Sequence, residues 1–193
     1  QKGQPHQCGH EERDRPLHVH RQSEQQQGQP DEGGPAFAFD AVHLGDREAR
    51  RGDQLAALRH YREAVRLIPT FGKAWGAAGT ALEQLGRLPE AADAYRRAIE
   101  FLPESPVLHG ELGMVYGRLG DHAAALAEFR EAVRLDPLVA DYHFNLGVAL
   151  RLTGDESAAE AEFLRARKLD PSSVPEPRGP EAGPAVPPWG GGR

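Results

Sequence analysis

Apolar positions between residues 38 and 171 follow a helical period that is interrupted at regular intervals. In segment 73–103 they recur at three- and four-residue spacing, in two stretches: Trp75, Ala78, Leu82 and Leu85, then Ala91, Ala94, Tyr95 and Ala98. This spacing places the side chains on one face of an α-helix. Gly86 separates the two stretches and Pro103 follows the second. The segment therefore predicts a helical hairpin.

The hairpin pattern occurs four times at an interval of 34 residues. The repeats occupy 38–71, 72–105, 106–139 and 140–173. One column of the repeat holds Gly52, Gly86, Gly120 and Gly154, which suit a left-handed cap at the end of the first helix. Another column holds Pro69, Pro103, Pro137 and Pro171, which follow the second helix. The pattern predicts an all-α array of four stacked hairpins.

A second glycine column lies inside the first helices, where glycine costs about 1 kcal/mol relative to alanine. Its members are Gly45, Gly79, Gly113 and Gly147. We expect a compensating gain in packing, because a missing side chain lets the two helices of a hairpin approach closely. The aromatic column of the second helices is expected to fill the core rather than to bind a cofactor; it holds Tyr61, Tyr95, Phe129 and Phe163.

The chain from 38 to 171 closely resembles the tetratricopeptide repeat. Repeat two carries Trp75, Gly79, Leu82, Ala91, Tyr95, Ala98 and Pro103, and repeat three fits in the same columns except at His109, which replaces the tryptophan. His143 and Ala41 also occupy that position. The resemblance implies a right-handed superhelical solenoid whose first helices line a concave groove, and it implies a role in binding other proteins.

The ends of the array differ from its interior. Interior repeats carry Ala74 and Ala81, or Leu108 and Val115, on the face that stacks on the preceding hairpin, whereas repeat one carries Asp40, Arg47 and Arg51 there. The last second helix has Glu160 and Arg167 at apolar stacking positions, although Leu164 replaces an arginine. We expect a complete array of four; the alternative is a segment of a longer solenoid.

The flanking segments 1–37 and 174–193 are predicted to be disordered tails, because they are rich in Gln, Gly, Pro and charge. Trp189 and the local cluster of His6, Cys8, His10, His18 and His20 are interpreted as tail residues, and the cluster lacks the spacing of a metal site. The domain is thus predicted to span 38–173.

Composition narrows the class of function. The formal net charge is −6, with 29 acidic and 23 basic side chains, which disfavours a nucleic-acid partner. No apolar run is long enough to cross a membrane, and the one cysteine cannot form an internal disulfide. No P-loop, HExxH, CxxC or GxSxG motif is present, so we predict no enzymatic activity, cofactor or metal. We expect a soluble protein, with the cytoplasm as the favoured location.

The predicted groove lining does not repeat in kind, unlike the packing columns, and this is typical of a selective binding surface. If the family geometry holds, the lining consists of Phe39, Val42, His43, Asp46, Lys73, Gly76, Ala77, Thr80, Glu83, Val107, Gly110, Glu111, Met114, Arg118, Asp141, Phe144, Asn145, Val148 and Arg151. We predict that a peptide or helix of a partner protein lies over a small floor formed by Gly76, Ala77, Gly110 and Gly117. It would insert apolar groups near Phe39 and Phe144 and offer a positive group to Glu111 or Asp46.

The resemblance also bears on the kind of partner. The Lys and Asn clamp with which some family members hold a chaperone's C-terminal carboxylate has no match here, since Val42, Asp46, Ala77, Val107 and Glu111 occupy those positions. Chaperone-tail recognition is therefore not predicted. The chain is expected to be a monomer or a weak homo-oligomer. A second hypothesis is a substrate-docking or regulatory module of a larger enzyme or assembly.

Overall fold

Residues 34–172, the part of the chain described by the computed structural model, form eight α-helices and no strand. The helices are α1 (Pro35–Arg50), α2 (Gln54–Leu67), α3 (Gly72–Gln84), α4 (Leu88–Phe101), α5 (Pro106–Leu119), α6 (His122–Leu135), α7 (Ala140–Leu152) and α8 (Glu156–Leu169). Most of the two predicted tails, the N-terminal histidine cluster and Trp189 lie outside the described residues, whereas residues 35–37 of the predicted tail 1–37 belong to α1.

The eight helices pair into four hairpins, and each hairpin packs on the next. Within hairpins, α1 contacts α2, α3 contacts α4, α5 contacts α6 and α7 contacts α8. Between hairpins, the second helix of one repeat contacts the first helix of the following repeat. These contacts confirm the predicted all-α solenoid of four helix-turn-helix repeats.

The glycine column inside the first helices has the packing role predicted from the sequence. A Cβ atom added at Gly113 would lie 2.7 Å from Cε1 of Phe129, and one added at Gly45 would lie 2.5 Å from Cε1 of Tyr61. Both aromatic rings are buried, as are their equivalents in repeats two and four. Since no side chain fits between ring and backbone, glycine is required wherever the aromatic ring crosses the first helix.

The turns between the paired helices follow local capping rules. Gly120 adopts φ 81° after α5 and ends that helix in the left-handed conformation, as predicted. The carboxylates of Asp53, Asp121 and Asp155 then accept hydrogen bonds from backbone N–H groups at the starts of α2, α6 and α8. Helix α1 begins at Pro35, before the predicted repeat boundary at residue 38, because proline is well suited to a first helical position.

Stacking between repeats buries small and branched apolar side chains. Val65 of α2 shares a buried cluster with Ala74 of α3, and Leu58 shares another with Ala81. The stacking positions at the two ends of the array are polar and exposed: Asp40 and Arg47 on α1, Arg51 directly after it, and Glu160 and Arg167 on α8.

Candidate binding face on the first helices

The first helices of successive repeats lie next to one another. Helix α1 contacts α3, and α5 contacts α7. A salt bridge of 2.9 Å between Arg118 Nη1 and Glu83 Oε1 joins α5 to α3. We define the predicted groove residues on these four helices as the first-helix face.

The predicted residues of this face differ in exposure. The exposed members are Phe39, His43, Lys73, Thr80, Val107 and Asp141. The partly buried members are Val42, Asp46, Ala77, Glu83, Glu111, Met114, Arg118, Phe144 and Arg151. The buried members are Gly76, Gly110, Asn145 and Val148.

The two glycines are not an open floor. A Cβ added at Gly76 would lie 3.0 Å from Cδ2 of Leu108, and one added at Gly110 would lie 3.0 Å from Cε1 of Tyr142. Each glycine is therefore covered by a large side chain of the next first helix. A bulky residue at Gly110 would press on the Tyr142 ring, so we expect it to affect folding as well as binding.

A polar network occupies the middle of the first-helix face. The Tyr95 hydroxyl donates to Glu83 Oε2 over 3.3 Å and lies 3.1 Å from Thr80 Oγ1. The other oxygen of Glu83 accepts the hydrogen bond from Arg118. Glu83 therefore accepts one hydrogen bond from its own repeat and one from the next repeat. Tyr95 belongs to the repeating aromatic column, but Thr80, Glu83 and Arg118 stand in columns that do not repeat in kind, so no periodic signal in the sequence predicted the network.

Glu111 lies beside this network and differs from Glu83 in having no hydrogen bond or ion pair among the described residues. Burial, and next the charge of Glu83, raise the pKa of the Glu111 carboxyl above its ordinary value. Burial followed by the charges of Asp136 and Glu111 raises the pKa of the Tyr142 hydroxyl. Glu111 is therefore a partly buried carboxylate, close to a second one and without a cation.

One pair of columns changes from polar to apolar along the array. In repeat one the Tyr61 hydroxyl donates to Asp46 Oδ1 over 2.8 Å, and in repeat two Tyr95 meets Thr80. The equivalent pairs are Met114 with Phe129 in repeat three and Val148 with Phe163 in repeat four, which all pack in one apolar cluster.

Further aromatic contacts lie near both ends of the face. The ring centroids of Phe144 and Phe163 are 5.7 Å apart, and the Arg151 guanidinium lies 4.6 Å from the Phe163 centroid. At the other end, Phe39 is 51% exposed and its centroid lies 4.9 Å from that of Phe71. Apolar groups therefore flank the polar middle of the face.

A cavity of about 370 Å³ opens between the first two repeats. Its lining includes predicted face residues, and both charged and small apolar side chains are present: Asp46, Ala49, Arg50, Gln54, Tyr61, Ala77, Thr80, Ala81 and Gln84. This part of the face has the depth to receive a side chain.

Two histidines are buried away from the first-helix face, in the column of Trp75. In His143, Nε2 donates to the Pro137 carbonyl over 3.0 Å and Nδ1 lies 2.6 Å from Glu162 Oε2. His109 makes the same two contacts, with Pro103 and Glu128. The histidines pack between helices as predicted, but the carboxylate partners were missed. The recurrence of a His and a Glu 19 residues apart in repeats three and four was the available signal.

Residues 34–172 hold neither a cluster of potential metal ligands nor a helix suited to a membrane span. In this range no group of three or more His, Cys, Asp or Glu side chains is arranged to hold a metal ion. None of its helices has the length and apolar character needed to cross a membrane.

Comparison with known proteins agrees with this architecture. A tetratricopeptide repeat family model matches residues 43–106 and 111–174, well over half of the chain. A crystal structure of MamA is similar with a TM-score of 0.68 at 23% identity, covering 71% of this chain and 80% of that chain. MamA 41-end from Desulfovibrio magneticus RS-1 gives a TM-score of 0.65 at 21% identity, covering 72% and 78%.

At such identities the solved structures show a common fold alone. None of the curated proteins compared with the chain matches it. The family model and the eight-helix architecture agree with each other and with the repeat pattern. The chain therefore belongs to the tetratricopeptide repeat family, whose fold is typical of non-enzymatic scaffolds for protein interactions.

Proposed function

We propose that the first-helix face is a groove that binds a segment of another protein, and that this segment places a lysine or arginine on Glu111. The observation that carries the proposal is the state of Glu111. It is a partly buried carboxylate whose pKa is raised by burial and by Glu83, and it has no ion-pair partner among the described residues.

A cation from a partner would relieve this unfavourable charge. Its attraction to Glu111 acts in partly desolvated surroundings, where charge pairs are stronger than in water. Glu83 is already paired with Arg118, so it adds negative potential at the site without competing fully for the cation. Specificity for a basic group follows from the same arrangement, since an acidic group would meet two carboxylates.

The apolar contacts of the partner segment would lie on either side of this charge. The exposed Phe39 is available at the repeat-one end, and Met114 and Phe144 lie toward repeat four. The cavity between the first two repeats would receive a further side chain of the segment. A segment with one central basic residue and flanking apolar residues fits this order of surfaces.

The test begins with selection of binding peptides from a phage-displayed random library on the full chain. We expect lysine or arginine to be enriched in the selected peptides. Isothermal titration calorimetry then compares the wild type with Glu111→Gln, for which we expect about a tenfold loss of affinity. Glu104→Gln is the matched control, because Glu104 is exposed in the turn between α4 and α5 and forms no salt bridge among the described residues.

A double-mutant cycle identifies the pair directly. Replacement of the peptide's basic residue by norleucine should cost affinity in the wild type and much less in Glu111→Gln. Equal losses in the two proteins would overturn the assignment of Glu111. Selected peptides without basic residues would overturn the proposed class of partner.

The pH dependence provides a second readout. A bound cation favours ionised Glu111, so binding releases a proton when the free carboxyl is protonated. Since the pKa of Glu111 is raised, affinity should fall as the pH drops through a window above the ordinary range of a glutamate. The Glu111→Gln variant should lack this dependence.

A further inference from the structure

The two ends of the described array carry charges that are opposite in sign at positions that would meet if one copy stacked on another. Stacking inside the array brings α2 onto α3, with Val65 and Ala74 in one buried cluster and Leu58 and Ala81 in another. The same columns can be followed to the exposed faces of α8 and α1. They define which residues would face each other at a junction between two copies.

The repeat interval of 34 residues fixes these positions. On α8, Arg167 stands in the column of Val65 and Glu160 stands in the column of Leu58. On α1, Asp40 stands in the column of Ala74 and Arg47 in that of Ala81. A junction with the geometry of α2 on α3 would thus pair Arg167 with Asp40, and Glu160 with Arg47. Both apolar pairs of the interior become pairs of opposite charge.

The four charged side chains are available for such contacts. All four residues are exposed. Among the described residues, Asp40, Glu160 and Arg167 form no ion pair, and Arg47 makes only a contact of 3.5 Å with the adjacent Glu48. The two charges on each helix are seven residues apart and therefore lie on one face of that helix. Matching both pairs of opposite charge fixes the register of the two helices and their direction of approach.

An apolar contact would lie between the two charge pairs. Leu164 of α8 is 52% exposed and stands in the column of Arg62, which together with Ala78 lines a cavity at the interior junction. The equivalent of Ala78 on α1 is Leu44, which is 37% exposed. At a junction between two copies, Leu164 and Leu44 would therefore meet at the positions that Arg62 and Ala78 occupy inside the array.

We propose that this chain associates head to tail with itself, with α8 of one copy stacking on α1 of the next in the manner of an interior repeat junction. The contact joins two different surfaces, so it does not close in a pair of copies and extends the solenoid as an open chain. This association is independent of the groove and leaves the first-helix face continuous from copy to copy.

The test measures the mass of the full chain by sedimentation velocity over a concentration series into the millimolar range. We expect reversible growth of the wild type with concentration, and weaker growth at high salt because exposed charge pairs are screened. Arg167→Glu places two acids opposite each other, and Asp40→Arg places two bases opposite each other. Each variant alone should associate at least about tenfold more weakly.

A mixture of the two variants makes the test specific. In the mixture, the changed α8 of one variant faces the changed α1 of the other, and the unchanged surfaces also match. Association should therefore return to within about threefold of the wild type. Arg130→Glu is the matched control, because Arg130 is exposed on α6, far from both ends, and should leave association unchanged.

Three results would overturn the proposal. The first is a wild type that stays monomeric throughout the series. The second is wild-type association in Arg167→Glu alone, and the third is a mixture that associates no more strongly than its components. Far-UV circular dichroism of each variant shows whether helix content is kept, and exposed substitutions of this kind are expected to keep it.

Discussion

The first two repeats and the last two place their buried polar pairs in different columns of the same framework. Repeats one and two have hydroxyl-centred contacts on the first-helix face, at Tyr61 and Tyr95, and phenylalanines replace both tyrosines in repeats three and four. At the Trp75 column the order is reversed, since repeats three and four bury a histidine there with a carboxylate. A fixed repeat therefore tolerates polar groups in either position, but only as matched pairs.

The matching explains why columns change together. Where the second-helix aromatic is a tyrosine, the first helix supplies Asp46 or Thr80, and where it is a phenylalanine, the first helix supplies Met114 or Val148. A hydroxyl without a partner, or a carboxylate beside a phenylalanine edge, would be costly in a buried site. The difference between the halves teaches that the pair, rather than the single residue, is the unit of variation.

The largest test of this comparison breaks the buried pair of repeat four. His143→Phe leaves the Pro137 carbonyl without its donor and removes the imidazole from Glu162, and we expect a loss of about 3 kcal/mol in the free energy of unfolding. Urea denaturation measures the loss. The double variant His143→Trp with Glu162→Ala rebuilds the Trp75 and Ala94 arrangement of repeat two, and should recover at least half of the loss.

A recovery near zero in that double variant would show that repeat four cannot accept the arrangement of repeat two. It would contradict the view that the two halves share one framework. His109→Phe is the internal check, because His109 makes the same two contacts and should lose a similar amount.

A second test concerns the junction between the first helices of repeats three and four. Gly110→Val would press a branched side chain on Tyr142, whose ring lies 3.0 Å from the added Cβ. We expect a loss of about 2 kcal/mol by urea denaturation, as for overpacking in a core. At the first junction the positions equivalent to Gly110 and Tyr142 hold Val42 and Ala74, and Val42 packs against the cluster that contains Ala74. Adding Tyr142→Ala to Gly110→Val rebuilds this pair and should restore much of the stability. If Gly110→Val alone were neutral, the ring would not be fixed as described.

Gly110 also illustrates which features of the fold could be predicted from the sequence and which could not. The four repeats, their turns and their aromatic core were predictable, because the same residue type recurs at a fixed interval and each column reports one packing role. The cover over Gly110 was not predictable, since Tyr142 stands in a column that also holds Ala74 and Leu108. Size matching between two varying columns leaves no periodic signal in either one.

The residues of the candidate face could also be predicted from their columns, whereas the contacts between columns could not. Its members could be named from their position on the first helices, and Glu111 was among the residues expected to meet a cation. The pairing of Glu83 with Arg118 joins two different columns of neighbouring repeats. Only the packing of α3 beside α5 brings these charges together, so the contrast between a paired Glu83 and an unpaired Glu111 required the structure.

A third test converts the core contact of repeat three into that of repeat two. Phe129→Tyr would place a hydroxyl beside Met114, which offers at most a weak sulfur acceptor, and we expect a loss of about 1 to 2 kcal/mol. Adding Met114→Thr rebuilds the pair of Thr80 and Tyr95, and should return most of this free energy. Urea denaturation of both single variants and the double variant gives the coupling. Additive effects would contradict the assignment of the two residues as one unit.

The smallest expected effect concerns the unpaired carboxylate at the centre of the comparison. Burial and then Glu83 raise the pKa of Glu111 in the folded chain, so the folded chain binds this proton more tightly than the unfolded chain does. Stability is therefore lost as the pH rises from the ordinary glutamate value through the raised one. Glu111→Gln should unfold at higher urea than the wild type at pH 7, by about 0.5 kcal/mol after allowance for solvent screening. The difference should disappear at about pH 3, below the ordinary glutamate value, where the site is neutral in both proteins whether folded or unfolded.

The control for this effect is Glu104→Gln, which should show no gain in stability at pH 7. Glu104 is exposed, and its charge interacts favourably with that of Arg134, so removing this charge is not expected to stabilise the folded chain. A Glu111→Gln variant that is less stable than the wild type at pH 7 would mean that the Glu111 carboxylate has a favourable partner. That result would remove the reason for a cation to bind there.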